Sequence, residues 1–143
     1  MKKKIKGTNK HTPPISRTVV SPGDDPQHEL ALLIRRDTTT SSDPDWNETE
    51  LISYQQDDQV AGTGTHRAYF RRLRKNGETE YGSYEGMHKT SVKDDGSWEM
   101  TWEGTYQMIG GTGKFKNIKG SGTYRGKATA QGALTEWEGE VEY

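Results

Sequence analysis

The chain has 143 residues, the size of one domain, and only 28% of them are hydrophobic. Its 20 Lys and Arg residues balance 21 Asp and Glu residues, which argues against a nucleic-acid module, since such modules carry a strong basic excess. The absence of cysteine excludes disulfides, thiolate nucleophiles and zinc–sulfur sites. No apolar run approaches the roughly 20 residues that a membrane span needs.

Residues 1–26 are predicted to form a flexible arm outside the folded domain. They combine a lysine run at positions 2–4 with four prolines, and they contain few apolar residues. The segment lacks the apolar stretch of a signal peptide. The cellular compartment therefore stays open: cytoplasmic for the chain as given, or secreted if a signal was removed earlier.

Residues 27–143 are predicted to be a single all-β antiparallel domain, because short strands alternate with turn signals. Four aspartates are interpreted as solvated loop acids, with a calcium contact as the alternative: Asp43, Asp45, Asp57 and Asp58. One helical turn fits around Phe115 to Ile118. Strands are predicted at residues 28–36, 51–54, 61–74, 78–92, 97–109, 120–129 and 132–143.

An aromatic–charged–glycine tripeptide recurs along these strands and indicates which face is buried. It occurs at residues 84–86, 102–104, 124–126 and 137–139. Alternate residues of a strand share a face, so the aromatic residue and the glycine point one way and the charged residue the other. Four glutamates share the other face of the last strand, which must therefore be solvated. The aromatic face is the buried one.

The turn at Asn76-Gly77 predicts the register of the strands on either side of it. A two-residue hairpin turn there pairs Tyr69 with Tyr84 and places Arg67 on the aromatic face. Because a slip of one residue reverses every side chain of a strand, these positions depend on the turn type.

A second turn, at residues 94–96, suits a three-residue loop that ends in a left-handed glycine. This loop pairs Tyr84 with Tyr106 and His88 with Trp102. Both predicted registers keep the aromatic face continuous across the strands.

The predicted inner face provides the candidate site residues. His88 and Arg67 are the candidate catalytic residues, because an imidazole can transfer protons near pH 7 and an inward guanidinium requires an anionic or carbonyl partner. The alternative is that His88 only hydrogen-bonds aromatic groups and that Arg67 reaches solvent. The glycines either accommodate the rings or leave space for a ligand. The candidate ligand-binding residues are Tyr69, Tyr84, Trp102, Tyr106, Tyr124 and Trp137.

No metal or cofactor is predicted. The four histidines show no metal-ligand spacing, and the glycine-rich segments lack the Lys-Ser/Thr pair of a phosphate-binding loop. The basic run at residues 71–75 faces Glu78 and Glu80 across a hairpin, which predicts cross-strand ion pairs.

A glycine-rich segment near the end of the chain resembles a known fold family. Residues 110–115 read Gly-Gly-Thr-Gly-Lys-Phe, and residues 120–126 read Gly-Ser-Gly-Thr-Tyr-Arg-Gly. This pattern resembles the allene oxide cyclase-like and dirigent-like barrels over roughly residues 60–143. The resemblance implies a calycin-like, eight-stranded antiparallel barrel with a mainly apolar cavity. It carries over no catalytic residue, since Glu29 matches the cyclase acid by position alone and the cysteine of the plant cyclases is absent.

Members of those families bind hydrophobic small molecules, and some direct cyclisations or radical couplings. The sequence accordingly predicts a barrel that binds a hydrophobic small molecule in an aromatic-lined cavity. It is either a cofactor-independent cyclase, isomerase or lyase for an oxygen-containing substrate, or a non-catalytic carrier. A third alternative is an assembly module whose aromatic surface packs against another copy, as a homo-oligomer. Neither nucleic acid nor a membrane span is expected.

Overall fold

In the computed structural model, which describes residues 2–143, nine β-strands form one antiparallel sheet. They are arranged as β1-β9-β8-β7-β6-β5-β4-β3-β2, and a further pairing of β1 with β3 closes the sheet into a barrel. The predicted all-β antiparallel barrel is therefore confirmed. Within residues 2–143 no helix has the length and apolar character that crossing a membrane requires. The strands are β1 (Lys2–Lys10), β2 (Ser16–Val20), β3 (His28–Ser41), β4 (Thr49–Val60), β5 (Thr63–Leu73), β6 (Thr79–Val92), β7 (Trp98–Gly111), β8 (Lys119–Thr129) and β9 (Gly132–Glu142).

The segment predicted as a flexible arm contributes two strands to the barrel. Along β1, Lys4 lies opposite Glu140 and Lys6 lies opposite Glu138 on the outer surface of β9. Ile5, between the two lysines, is only 4% exposed and belongs to the core. The prediction of an arm is wrong: the lysines resemble a solvated tail in the sequence, whereas in the structure they belong to a strand and lie opposite the glutamate row of β9.

β2 continues the course of β1 along β3. Pro13 and Pro14 lie between the two strands, where their missing backbone N–H groups interrupt the ladder. The pairing resumes at Ile15, whose N–H donates to the Ile34 carbonyl at 2.8 Å. Together β1 and β2 form one wall of the barrel with a break at the prolines.

β4 spans 12 residues, whereas the sequence predicts a strand only at 51–54. Gln55, Asp57 and Gln59 in its second half line the barrel interior. Polar residues occupy both faces of this half, so the apolar–polar alternation that reveals a strand is missing. The interpretation of Asp57 and Asp58 as loop acids is therefore wrong, since both lie in β4.

The hairpin between β6 and β7 has the predicted register. Tyr84 lies opposite Tyr106, and His88 lies opposite Trp102. The Lys93 N–H donates to the Ser97 carbonyl at 2.8 Å, which leaves three residues in the loop. The inner faces of these two strands are thus as predicted.

The hairpin between β5 and β6 has a three-residue loop at 75–77, not the predicted two-residue turn. The Arg74 N–H donates to the Glu78 carbonyl at 3.1 Å, and Gly77 has a φ of 89°. A three-residue loop that ends in a left-handed glycine is common in hairpins. It places Ala68, rather than Tyr69, opposite Tyr84.

This shift of one residue reverses the two faces of β5. Tyr69 is 70% exposed, and Arg67 donates from Nε to Gln56 Oε1 at 3.0 Å on the outer surface. The predicted positions of Arg67 and Tyr69 on the inner face are therefore wrong. His66 and Phe70 occupy the inner face in their place.

An aromatic plug closes one end of the barrel. Trp46, from the loop between β3 and β4, and Phe115, from a 3-10 turn at Gly113–Phe115, are both fully buried with ring centroids 5.9 Å apart. The Tyr143 ring packs against both. At the other end Trp98 is 41% exposed at the edge of the interior cavity. Among the described residues, the plug thus blocks one end of the interior, and the cavity extends to Trp98 at the other.

Glycines allow the aromatic rings of the inner face to lie across neighbouring strands. A Cβ atom at Gly126 would overlap with the Trp102 indole, and one at Gly104 would overlap with the Tyr124 ring. Trp102 thereby reaches from β7 across β8 to β9. Of the two explanations for these glycines, the structure supports the one in which they accommodate rings.

Candidate functional site

The barrel encloses a cavity of about 360 Å³ between the plug and the open end. Sites for small organic molecules occupy about 300–1,000 Å³. One side, which we call the aromatic wall, carries Tyr84, Trp98, Trp102, Tyr106, Tyr124 and Trp137 from β6–β9. The opposite side, which we call the polar wall, carries Arg35, Asp37, Gln55, Asp57 and Gln59 from β3 and β4. The cavity is mainly apolar, as the resemblance implies, and a set of polar groups lies opposite its aromatic rings.

Most of the predicted site residues meet in this cavity. Arg67 and Tyr69 do not, because they face solvent. The functional roles of the others remain predictions. The predicted residues that line the cavity are His88, Tyr84, Trp102, Tyr106, Tyr124 and Trp137.

Four side chains form a directed series of hydrogen bonds, which we call the histidine chain: Tyr124, His66, His88 and Gln59. Glu29 accepts from Gln59 Nε2 at 3.1 Å, which turns the Gln59 oxygen toward His88. His88 Nε2 therefore donates to Gln59 Oε1 at 2.8 Å, and neutral His88 accepts at Nδ1 from His66 Nδ1 at 3.0 Å. His66 Nε2 then accepts from the Tyr124 hydroxyl at 2.7 Å.

The electrostatics of the site keep the histidine chain uncharged at neutral pH. Burial, with a smaller contribution from His88, lowers the pKa of His66 to about 4. Burial also lowers the pKa of His88, and the carboxylate of Asp57 opposes that shift. Burial raises the pKa of the Tyr124 hydroxyl. Each group therefore holds the protonation state that the hydrogen bonds require.

We expect the free energy of unfolding to decrease as the pH falls from 6.5 toward 4. The folded-state pKa of His66, about 4, lies below its ordinary value of 6.5, so the unfolded chain binds more protons in this window. For His66 alone the loss between pH 7.5 and pH 5 is about 2 kcal/mol. Urea denaturation at the two pH values measures it, and His66→Asn should show a smaller pH dependence. Equal pH dependence in both proteins would contradict the assignment.

Tyr84 connects the aromatic wall to the polar wall. Its hydroxyl donates to Gln55 Oε1 at 2.6 Å, and Gln55 Nε2 donates to Asp57 at 2.8 Å. Its ring meets that of Tyr124 edge to face, with centroids 5.5 Å apart. Burial raises the pKa of Tyr84, so its hydroxyl stays protonated at neutral pH. Two tyrosine hydroxyls thus lie among polar partners beside the apolar rings.

A buried ion cluster forms the floor of the cavity. Glu80 is fully buried, and its Oε1 lies 3.1 Å from Arg72 Nε and 2.9 Å from Arg74 Nη2. The predicted cross-strand ion pair to Glu80 is confirmed. Arg72 also donates to the Thr39 and Thr49 hydroxyls at 2.6 and 2.8 Å. Two guanidinium groups thus face one carboxylate, and Arg72 and Glu80 are the members of the cluster that line the cavity.

Two histidines of the cavity, His66 and His11, were not predicted from the sequence as site residues. His66 was not predicted because the two-residue turn expected at Asn76-Gly77 places it on the outer face of β5. The three-residue loop at 75–77 places it on the inner face. His11 lies in the segment interpreted as an arm, and it contacts Thr135, which is 124 positions away. No local pattern could have shown that contact.

No protein-family model matches the sequence, and no curated protein has significant similarity to it. Among solved structures, the chain is similar to a pterocarpan synthase dirigent protein, with a TM-score of 0.55 and 15% sequence identity. The similarity covers 100% of this chain and 96% of that chain. At this level of identity it shows the fold. The dirigent-like β-barrel fold predicted from the glycine-rich segment is therefore confirmed.

Proposed function

We propose that the protein binds a small, flat, hydrophobic molecule that carries a hydroxyl or carbonyl oxygen, and that it transfers a proton on this molecule as a cofactor-independent isomerase or lyase. The supporting observation is the cavity of about 360 Å³, whose aromatic and polar walls flank the histidine chain. The aromatic wall suits the carbon skeleton of such a ligand. The Tyr124 and Tyr84 hydroxyls, which line the cavity, suit its oxygen atom.

The histidine chain supplies the proton transfer. The Tyr124 oxygen takes a proton from the ligand while its own proton passes to His66 Nε2, and His66 passes its Nδ1 proton to His88. The positive charge then rests on His88, where the carboxylate of Asp57 stabilises it. Return of the proton to another atom of the ligand gives an isomerisation. Its delivery to a departing hydroxyl group gives elimination of water.

Binding can be tested with 2-naphthol and naphthalene, which differ by one hydroxyl group. We expect 2-naphthol to bind about tenfold more tightly by isothermal titration calorimetry, since a hydrogen bond to a buried partner contributes about 1.4 kcal/mol. Tyr124→Phe should remove most of this preference. Tyr69→Phe is the matched control, because it deletes the same atom on the outer surface. Equal affinity for 2-naphthol and naphthalene would contradict the proposal that polar groups of the cavity bind the hydroxyl group of the ligand.

Turnover is tested separately from binding. Exchange of the C1 hydrogen of 2-naphthol in D2O requires loss of the hydroxyl proton and addition of a deuteron at carbon, and NMR follows it. The wild-type protein should accelerate this exchange, and His66→Asn should abolish the acceleration. Binding of 2-naphthol without accelerated exchange would identify a carrier instead.

The assembly-module alternative has less support than the other two. The aromatic face that this alternative invokes lies inside the barrel, where Tyr106 and Trp137 are buried in the core cluster. A homo-oligomer formed through another surface remains a prediction. Light scattering over a range of concentrations tests it.

A further inference from the structure

We propose that the cavity contains a second reactive site, in which the Thr135 hydroxyl, activated by His11 and Asp37, accepts an acyl group from an ester. Thr135 Oγ1 lies 2.5 Å from His11 Nε2, and His11 Nδ1 lies 2.9 Å from Asp37 Oδ1. All three residues line the cavity. A hydroxyl, an imidazole and a carboxylate in this order are the arrangement that activates serine nucleophiles on unrelated folds.

The proton positions follow from the partners. Asp37 Oδ1 lies 2.9 Å from His11 Nδ1 without hydrogen-bond geometry, but its negative charge favours a proton rather than a lone pair at that nitrogen, so His11 presents a lone pair at Nε2. The Thr135 hydroxyl therefore donates to His11, while its oxygen accepts from Trp102 Nε1 at 2.8 Å. Asp37 and Thr135 are buried and His11 is nearly so, which strengthens these interactions relative to water. Thr135 thus has the environment of an activated nucleophile.

Three separate segments hold this arrangement together. Asp37 belongs to β3 and Thr135 to β9, and His11 directly follows β1. The His11 backbone N–H donates to the Ala133 carbonyl at 3.2 Å, and its ring meets Trp102 edge to face at 5.7 Å. Contacts of both its backbone and its ring therefore fix the position of His11, as proton transfer requires.

Asn9 offers a donor for the negative charge that develops on a reacting carbonyl oxygen. It pairs directly with Thr135 across β1 and β9. Its Oδ1 accepts from the Thr39 hydroxyl at 2.7 Å and from Trp137 Nε1 at 3.1 Å. These bonds turn the amide oxygen toward its two donors, so the amide nitrogen is left for a ligand oxygen.

The reaction balances with an ester and water. Thr135 Oγ1 attacks the carbonyl carbon as its proton moves to His11 Nε2, and the leaving alcohol departs with that proton. Water then attacks the acyl group on Thr135 with His11 as the base. The carboxylic acid is released and the hydroxyl of Thr135 regains a proton. Asp37 acts as a positioning residue that stabilises the charged imidazole in both steps.

The test uses 4-nitrophenyl acetate, whose planar leaving group suits the aromatic wall. We expect acetylation of Thr135, located by peptide mass spectrometry, together with release of 4-nitrophenolate. His11→Gln should slow the acetylation about 100-fold or more, the usual effect of losing a general base. Thr123→Val, on the exposed face of β8, is the matched control and should leave the rate unchanged. Acetylation of Thr135 at the same rate in His11→Gln would overturn the proposal.

A pair of variants separates reactivity from folding. Thr135→Ser keeps the hydroxyl and should still be acetylated at position 135, whereas Thr135→Val should not. Thr135→Ser should retain the near-ultraviolet circular dichroism spectrum of the wild-type protein. Failure of Thr135→Ser to react while its spectrum is intact would overturn the proposal, whereas the 2-naphthol exchange of the wild-type protein tests the proposed isomerase or lyase separately.

Discussion

Replacement of Glu80 by alanine should lower the free energy of unfolding by about 3–5 kcal/mol. The side chain is fully buried between Arg72 and Arg74. Its removal leaves two guanidinium groups in the barrel floor without that carboxylate, and a buried charge without its partner is strongly unfavourable. Urea denaturation monitored by tryptophan fluorescence measures the loss.

Glu136→Ala is the matched control for this prediction. Glu136 pairs with Arg125 at 3.6 Å, but both side chains are largely exposed to solvent. An exposed ion pair contributes about 0–1 kcal/mol, so the expected loss is several times smaller than for Glu80→Ala. Similar losses in the two variants would mean that the Glu80 cluster contributes no more than a surface pair.

Gly104→Ala should destabilise the protein by about 2–3 kcal/mol and weaken the binding of 2-naphthol. The added methyl group would overlap with the Tyr124 ring and with the backbone oxygen of Glu85. Tyr124 must then move, and it loses its hydrogen bond to His66. Denaturation and calorimetry on the same variant report the two effects separately.

Gly110→Ala provides the comparison on the same strand. The nearest atom to a Cβ at Gly110 is 4.0 Å away, and its φ is not in the left-handed region. The stability should therefore change by about 0.5 kcal/mol or less, with 2-naphthol binding unchanged. If Gly104→Ala proved as harmless as Gly110→Ala, the ring of Tyr124 would not depend on the glycine beneath it.

The buried face of each strand from β6 to β9 could be predicted from the sequence because two independent patterns agree there. The repeated tripeptide marks one face, and the glutamates of residues 136–142 mark the other. The register of β5 could not be predicted, since an Asn-Gly pair fits both a two-residue and a three-residue loop. The two loops differ by one residue, which suffices to reverse the strand.

The parts of the fold and site that were missed depend on contacts between distant segments. β1 pairs with β9, at the opposite end of the chain, and its lysines lie opposite the glutamates of that strand. The polar half of β4 has neither apolar alternation nor a turn signal, so Asp57 gave no sign of facing inward. His66 meets Tyr124 across 58 positions, and only the closed barrel brings them together. Local patterns thus predict the aromatic wall, but not its polar counterpart.

Within residues 2–143 the aromatic plug of Trp46, Phe115 and Tyr143 blocks one end of the interior, and Trp98 lies at the edge of the cavity at the opposite end. A ligand of the proposed kind would therefore enter and leave away from the plug. A ligand longer than the cavity would insert one end into the barrel. The rest of it would lie outside, near the hairpin at residues 94–96. Compounds with long tails on one side are thus compatible with this barrel, whereas compounds bulky at both ends are not.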